Sequence, residues 1–168
     1  MSKPVGVSRI SSNSERETIT VHLNRTMFPE EEFMLRIKYR GLAIMDEYGL
    51  YESWDKVKSG TLIQTNLLIL ASRNFPTGAR SWFSCFDEPD KKATFELKVN
   101  HPSRLNVYSN SEVERTIIAS PGRNLTLFKK TYSRPTYQVA LSVNNFASQS
   151  IDVKGFGKVV LISISREN

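Results

Sequence analysis

The strongest constraint on this chain is a period of two. Ile19, Val21 and Leu23 alternate with polar neighbours, Phe33, Leu35, Ile37 and Tyr39 alternate across Met34, Arg36 and Lys38, and Phe95, Leu97 and Val99 alternate with Glu96 and Lys98. The same spacing continues through Leu105 and Val107, Leu125 and Leu127, Tyr137 to Val143 and Val160 to Ile164. Successive side chains of a strand point to opposite faces, so each segment reads as a strand with one face to bury. His101-Pro102-Ser103, Ser109-Asn110-Ser111, Ser120-Pro121-Gly122 and Gly155-Phe156-Gly157 supply turn residues between them. Short, regularly spaced strands favour an all-β domain, an antiparallel two-sheet sandwich or saddle-shaped pair of sheets. It is expected over residues 17–168, after a flexible segment 1–16. Residues 41–61 mix aromatics with acids and close on Gly60, which reads as a loop with a brief helical turn.

A chain of 168 residues is long enough to bury a sizeable core as one domain. No apolar run approaches the ~20 residues that span a bilayer. The opening Met-Ser-Lys-Pro-Val-Gly-Val has no apolar centre of the kind a secretory leader needs, so the expectation is that this stretch is not one. The net charge is +6, but the cations come one or two at a time, as at Lys91-Lys92 and Lys129-Lys130, and several alternate with apolar residues. That is the solvated side of strands and not a nucleic-acid footprint. The single cysteine, Cys85, lies between Phe83 and Phe86 and reads as a small buried thiol without an activating neighbour.

The most specific stretch is residues 79 to 99. Ala79-Arg80, then Cys85-Phe86-Asp87-Glu88-Pro89, then Lys92-Ala93-Thr94-Phe95 stand at fixed spacing. This resembles the signature of the amino-terminal domain of zinc-dependent aminopeptidases of the aminopeptidase N type. In that family Ala-Arg precedes Cys-Phe-Asp-Glu-Pro or Cys-Trp-Asp-Glu-Pro, followed by Lys-Ala-Thr-Phe. Gly49-Leu50-Tyr51 and Tyr108-Ser109-Asn110 are looser matches in the same order. From the residues themselves, the adjacent acids point in different directions and Pro89 marks a turn. Asp87 and Glu88 are therefore structural acceptors for turn amides or for the planar fork of Arg80. Trp82, Phe83 and Phe86 are expected to pack beneath that knot.

A catalytic zinc needs three protein ligands and an open position, and the usual His-Glu-x-x-His puts two imidazoles on one helix face. The chain has only His22 and His101, neither in that pattern, and each reads as structural or solvated. The family's Gly-Ala-Met-Glu-Asn substrate motif is absent as well, and no other nucleophile or phosphate-loop template is present. No catalytic residue, metal ligand or cofactor is assigned to this chain. The resemblance implies that zinc belongs to a catalytic domain carboxy-terminal to Asn168.

The resemblance also implies a contact with substrate. Family members carry Gln-aromatic-Glu-Pro-Thr-Asp-Ala-Arg, whose Gln lines the first specificity subsite and whose Glu helps to hold the peptide's ammonium. Here the stretch reads Arg73-Asn74-Phe75-Pro76-Thr77-Gly78-Ala79-Arg80, with Arg73 in the Gln position and Phe75 in the Glu position. A carboxylate holds an ammonium by a charge-assisted bond; an aromatic ring does not, and a neighbouring cation repels it.

Asn24-Arg25-Thr26 and Asn124-Leu125-Thr126 are glycosylation sequons if the chain enters a secretory lumen. With the resemblance they point to an extracellular or cell-surface setting; a cytoplasmic one is the alternative. The first reading of function is a noncatalytic amino-terminal domain that caps the cleft of a zinc aminopeptidase and contributes to its peptide subsite. The second is a degenerate, inactive relative that binds a peptide or protein ligand through sheet edges or the aromatics Tyr48, Tyr51 and Trp54. A basic nucleic-acid-binding β domain is a third class, but no recognisable single-strand-binding aromatic motif supports it.

Overall fold

The computed structural model describes residues 5–43, 48–59, 62–155 and 157–163. These form an all-β fold with antiparallel pairing throughout and, among the described residues, no α-helix. The strands are β1 (Val7–Asn13), β2 (Thr18–Leu23), β3 (Gly49–Ser59), β4 (Leu62–Arg73), β5 (Lys98–Pro102), β6 (Asn106–Ser109), β7 (Val113–Ser120), β8 (Arg123–Phe128), β9 (Leu141–Asn144), β10 (Ala147–Val153) and β11 (Gly157–Ser163). Short 3-10 turns cover Gly78–Ser81 and Thr136–Gln138. The chain divides into compact units at residues 1–40 and 41–168.

In the first unit β1 and β2 form a hairpin, with Arg16 N–H donating to Asn13 Oδ1 at 2.9 Å in the turn. Residues 7–13, assigned above to a flexible lead-in, are therefore a strand. Beyond β2 the chain leaves the hairpin. Arg25 pairs with Glu31, whose carboxylate also accepts the Phe28 N–H at 3.2 Å. The strand expected over residues 33–39 does not form among the described residues, and Phe33, Leu35 and Tyr39 are exposed. Alternation prescribes two faces, but a strand exists only where a neighbour takes up its N–H and C=O groups.

In the second unit one sheet has the order β3-β4-β9-β6 and another the order β5-β8-β7. Leu105 beside β6, Val107 of β6, Leu141 and Val143 of β9, and Phe128 of β8 form the buried cluster, with Leu50, Leu70, Trp82, Leu97 and Val99 packed against it. Both sheets contribute, which is the sandwich the alternation predicts: each apolar face is buried against the other. The expected loop over 41–61 is corrected. Its larger part is β3, which pairs with β4 from Gly49↔Arg73 to Ser59↔Leu62. The alternation of 137–143 is likewise only partly strand, because the 3-10 turn occupies its start and β9 begins at Leu141. β10 and β11 pair with one another as a separate ribbon.

Candidate functional site

β4 ends at Arg73, and the chain then turns sharply. Asn74 is 3% exposed and fixes this turn with both ends of its carboxamide: Nδ2 donates to Val139 O at 2.6 Å, and Oδ1 accepts Trp82 Nε1–H at 2.8 Å. Its carbonyl accepts Gly78 N–H at 2.7 Å. Tyr48 and Thr77 share a hydroxyl hydrogen bond of 2.6 Å across the same turn, and the Phe75–Pro76 peptide is cis. Gly78 and Gly49 meet backbone to backbone. A Cβ on Gly78 would lie 2.6 Å from Arg73 O, and Gly49 has φ +67°, so both positions require glycine.

This frame leaves Phe75 exposed at 68%, its ring edge-on to Tyr137 with centroids 5.6 Å apart. Arg73, opposite Gly49 in the ladder, is exposed as well. Arg73 and Phe75, the candidate subsite residues read from the sequence, therefore stand at the surface of a turn whose buried member is the residue between them. Tyr48, at 36% exposure, is engaged in the turn, while Tyr51 and Trp54 lie on β3 and not on a loop.

The signature itself forms a second feature. Arg80 Nε donates to Asp87 Oδ2 at 2.9 Å, its backbone N–H reaches the same oxygen at 3.3 Å, and Nη2 donates to Asp87 O at 3.3 Å. Thr136 Oγ1 donates to Asp87 Oδ1 at 2.6 Å. The Asp87 side chain is only 5% exposed. Burial pushes its carboxyl up, but the hydrogen bonds from Thr136 and Arg80 and the guanidinium charge outweigh that and hold it below the ordinary value. Of the two acids expected to share this role, Asp87 takes it. Glu88 is exposed and contributes its carbonyl, which accepts Lys91 N–H at 3.0 Å in the turn around Pro89.

Trp82 and Phe83 stack edge-on at 4.7 Å, and Phe83 meets Phe95 at 6.2 Å. Phe86 does not join them: it is 81% exposed, because the chain at Asp87 turns its carboxylate inward and leaves the preceding side chain outside. Cys85 is half-buried, and desolvation, with the Asp87 charge, pushes its thiol up to about 11. Asp87 has its oxygens occupied and Cys85 stays a thiol near neutrality, so neither is poised as acid, base or nucleophile.

The histidines serve the sheets. His22 Nε2 is 3.2 Å from Ser11 Oγ and 3.3 Å from Arg9 Nη2 on the facing strand. His101 is buried, with Nε2 2.9 Å from Thr126 Oγ1 and Nδ1 3.0 Å from Pro102 O. Among the described residues no group of three or more His, Cys, Asp or Glu is arranged to hold a metal ion. Sequence reasoning missed Asn74, Thr136 and Tyr137, whose partners lie far along the chain, and no local spacing signals them.

Residues 1–138 match the peptidase M1 N-terminal domain family. Glutamyl aminopeptidase of Bitis rhinoceros is 30% identical over 146 residues, covering 84% of this chain and 14% of that protein. The thyrotropin-releasing hormone-degrading ectoenzyme of Rattus norvegicus is 30% identical over 141 residues, 83% of this chain and 13% of that protein. Human endoplasmic reticulum aminopeptidase 1 is 34% identical over 129 residues, 76% of this chain and 13% of that protein. The chain spans about one seventh of the length of these relatives.

Proposed function

The chain belongs to the peptidase M1 N-terminal domain family, and on that premise we propose that it is a noncatalytic module that caps the cleft of a zinc aminopeptidase and presents the turn after β4 to the amino end of a peptide. The observation that carries this reading is the exposure of Phe75 on a turn held from beneath by buried Asn74. Burying a polar carboxamide is favourable only when its hydrogen bonds are made, and here they tie the turn to β9 and to Trp82. The exposed residues of a turn fixed in this way are preorganised to meet a ligand.

On this reading the zinc belongs to a catalytic domain and not to the described residues. His22 and His101 are spent within their sheets, and the described residues offer no three-ligand set. Arg73 and Phe75 give the turn a chemistry unlike the family's glutamine and glutamate. A guanidinium selects a carboxylate, so the preferred peptide has an acidic or polar amino-terminal side chain; one relative is itself named a glutamyl aminopeptidase. The same replacement favours a second reading, in which the domain binds peptides and supports little or no cleavage. The setting proposed is extracellular or lumenal, in keeping with relatives named as an ectoenzyme and as an endoplasmic reticulum enzyme.

The test is direct. The chain expressed alone is expected to release no amino-terminal residue from a chromogenic amide and to take up no stoichiometric zinc. Turnover accompanied by one bound zinc per chain overturns the reading.

A further inference from the structure

The sequons differ in what the fold does with them. Asn24 is exposed and directly follows β2, where its Oδ1 accepts Gly6 N–H at 3.1 Å and its own N–H donates to Gly6 O at 2.9 Å. Its Nδ2 lies over Gly6, so close that a Cβ there would stand 2.4 Å away. The absence of a side chain at Gly6 is what leaves room for it. Arg25 and Thr26 are exposed, and the Thr26 side chain makes no hydrogen bond among the described residues. Asn24 is the last residue held to the β1 side of the hairpin, and Arg25 and Thr26 run on past the end of β2 as exposed chain open to an enzyme.

Asn124 stands on β8, the central strand of its sheet, opposite His101 on β5 and Ile118 on β7. Alternation along β8 puts Asn124, Thr126 and Phe128 on one face. That face is the inner one, since Phe128 belongs to the buried cluster. Thr126 is 4% exposed, and its hydroxyl is tied to His101 at 2.9 Å and to Thr116 at 3.1 Å. Asn124 is half-buried beside exposed Ile118, and a sugar on it would stem from the same face as buried Thr126 and His101, on a strand with a neighbour on each edge.

We propose that Asn24 is an N-glycan acceptor and that Asn124 is not. The donor class is an oligosaccharide on a polyprenyl pyrophosphate. Nδ2 of Asn24 forms a bond to the sugar's anomeric carbon, the bond from that carbon to the pyrophosphate oxygen breaks with its electron pair, and the Nδ2 proton leaves with the departing pyrophosphate. This proposal rests on the lumenal setting proposed above, and the experiment separates the two.

The whole chain is expressed in secretory cells behind an added cleavable leader, and also as it stands. Treatment with peptide-N-glycosidase then reports the sugar as a mobility shift, and peptide mapping finds the Asn-to-Asp conversion it leaves. The leader-borne chain is expected to carry one glycan, mapped to Asn24, lost in both Asn24→Gln and Thr26→Ala, kept in Thr26→Ser and kept in Asn124→Gln. A leader-borne chain that is secreted without sugar, or that carries it at Asn124, overturns the proposal. Sugar at Asn24 only when the leader is added upholds the site, and counts against the lumenal setting for the chain as it stands.

Discussion

The turn after β4 and the Arg80–Asp87 knot lie within a few residues of one another, yet the sequence treats them in opposite ways. In the knot every partner the family signature supplies is present, and Asp87 is buried with donors on both oxygens. In the turn, the residue with a buried structural task, Asn74, is hydrogen-bonded at both ends of its carboxamide, while its neighbours Arg73 and Phe75 are exposed. The comparison teaches that the side chains tying this region together, Asn74 and the Arg80–Asp87 pair, are the covered ones, while Arg73 and Phe75 stand at the surface.

The largest effect expected is on the knot. Arg80→Ala leaves the Asp87 carboxylate buried with Thr136 as its remaining side-chain donor, at a cost of about 3 kcal/mol in unfolding free energy. The control Lys98→Ala, on an exposed strand position, costs under ~0.5 kcal/mol. Equal denaturation midpoints for the two variants break the comparison. Next comes Asn74→Ala, which strands the Trp82 indole N–H, leaves the Val139 carbonyl with only the longer 3.5 Å bond from Ser72 Oγ, and costs about 2 kcal/mol by chemical denaturation. Phe75→Ala loses one edge-on ring contact and is expected to cost about 1 kcal/mol or less, so Asn74 and Phe75 separate by stability alone.

Acid sharpens the same contrast. The folded-state value of Asp87 lies below the ordinary carboxylate value of about 3.9, so its stabilisation is complete above that value and drains away as pH falls through the lower folded one. Asp87→Asn is expected to flatten the fall in stability below ~pH 4. An acid limb identical to that of the wild type contradicts the assignment of Asp87 as the buried acceptor. The smallest effect is kinetic. With its thiol pushed up to about 11, Cys85 is expected to react with a thiolate-specific reagent at pH 8 more slowly in the folded chain than in denaturant.

Much of this was legible from residue patterns, and the failures share a cause. Period-two alternation found β2, β6, β8 and the sandwich, because in those segments one face meets the other sheet. It failed over 33–39, which is not strand, and over 49–59, where acids and aromatics disguise a strand that owes its existence to β4. The knot was readable as Arg80 with an acid, but choosing Asp87 over Glu88 needed Thr136, brought in by the tertiary fold. Phe86 was misread for the same reason: composition supplies an apolar ring, and only the path of the chain decides whether it is covered. Asn74 was hidden because the acceptor that fixes its amide, Val139, lies 65 residues away, and its bond with Trp82 follows no recognisable local motif.

The central proposal is that Arg73 and Phe75 set ligand chemistry while Asn74 holds their turn, and the double variant Arg73→Gln with Phe75→Glu tests it most directly. In the full reading frame that contains this domain, kcat/KM is measured on peptides with neutral and with acidic amino-terminal residues, alongside the denaturation midpoint. The account predicts weak turnover of neutral peptides by the wild type. The double variant should raise it roughly 30-fold, about 2 kcal/mol of transition-state binding for one restored charge-assisted contact, with the midpoint falling less than it does in Asn74→Ala. Robust wild-type turnover of neutral peptides that the double substitution leaves unchanged or reduces contradicts the account, and assigns the ammonium contact to another residue.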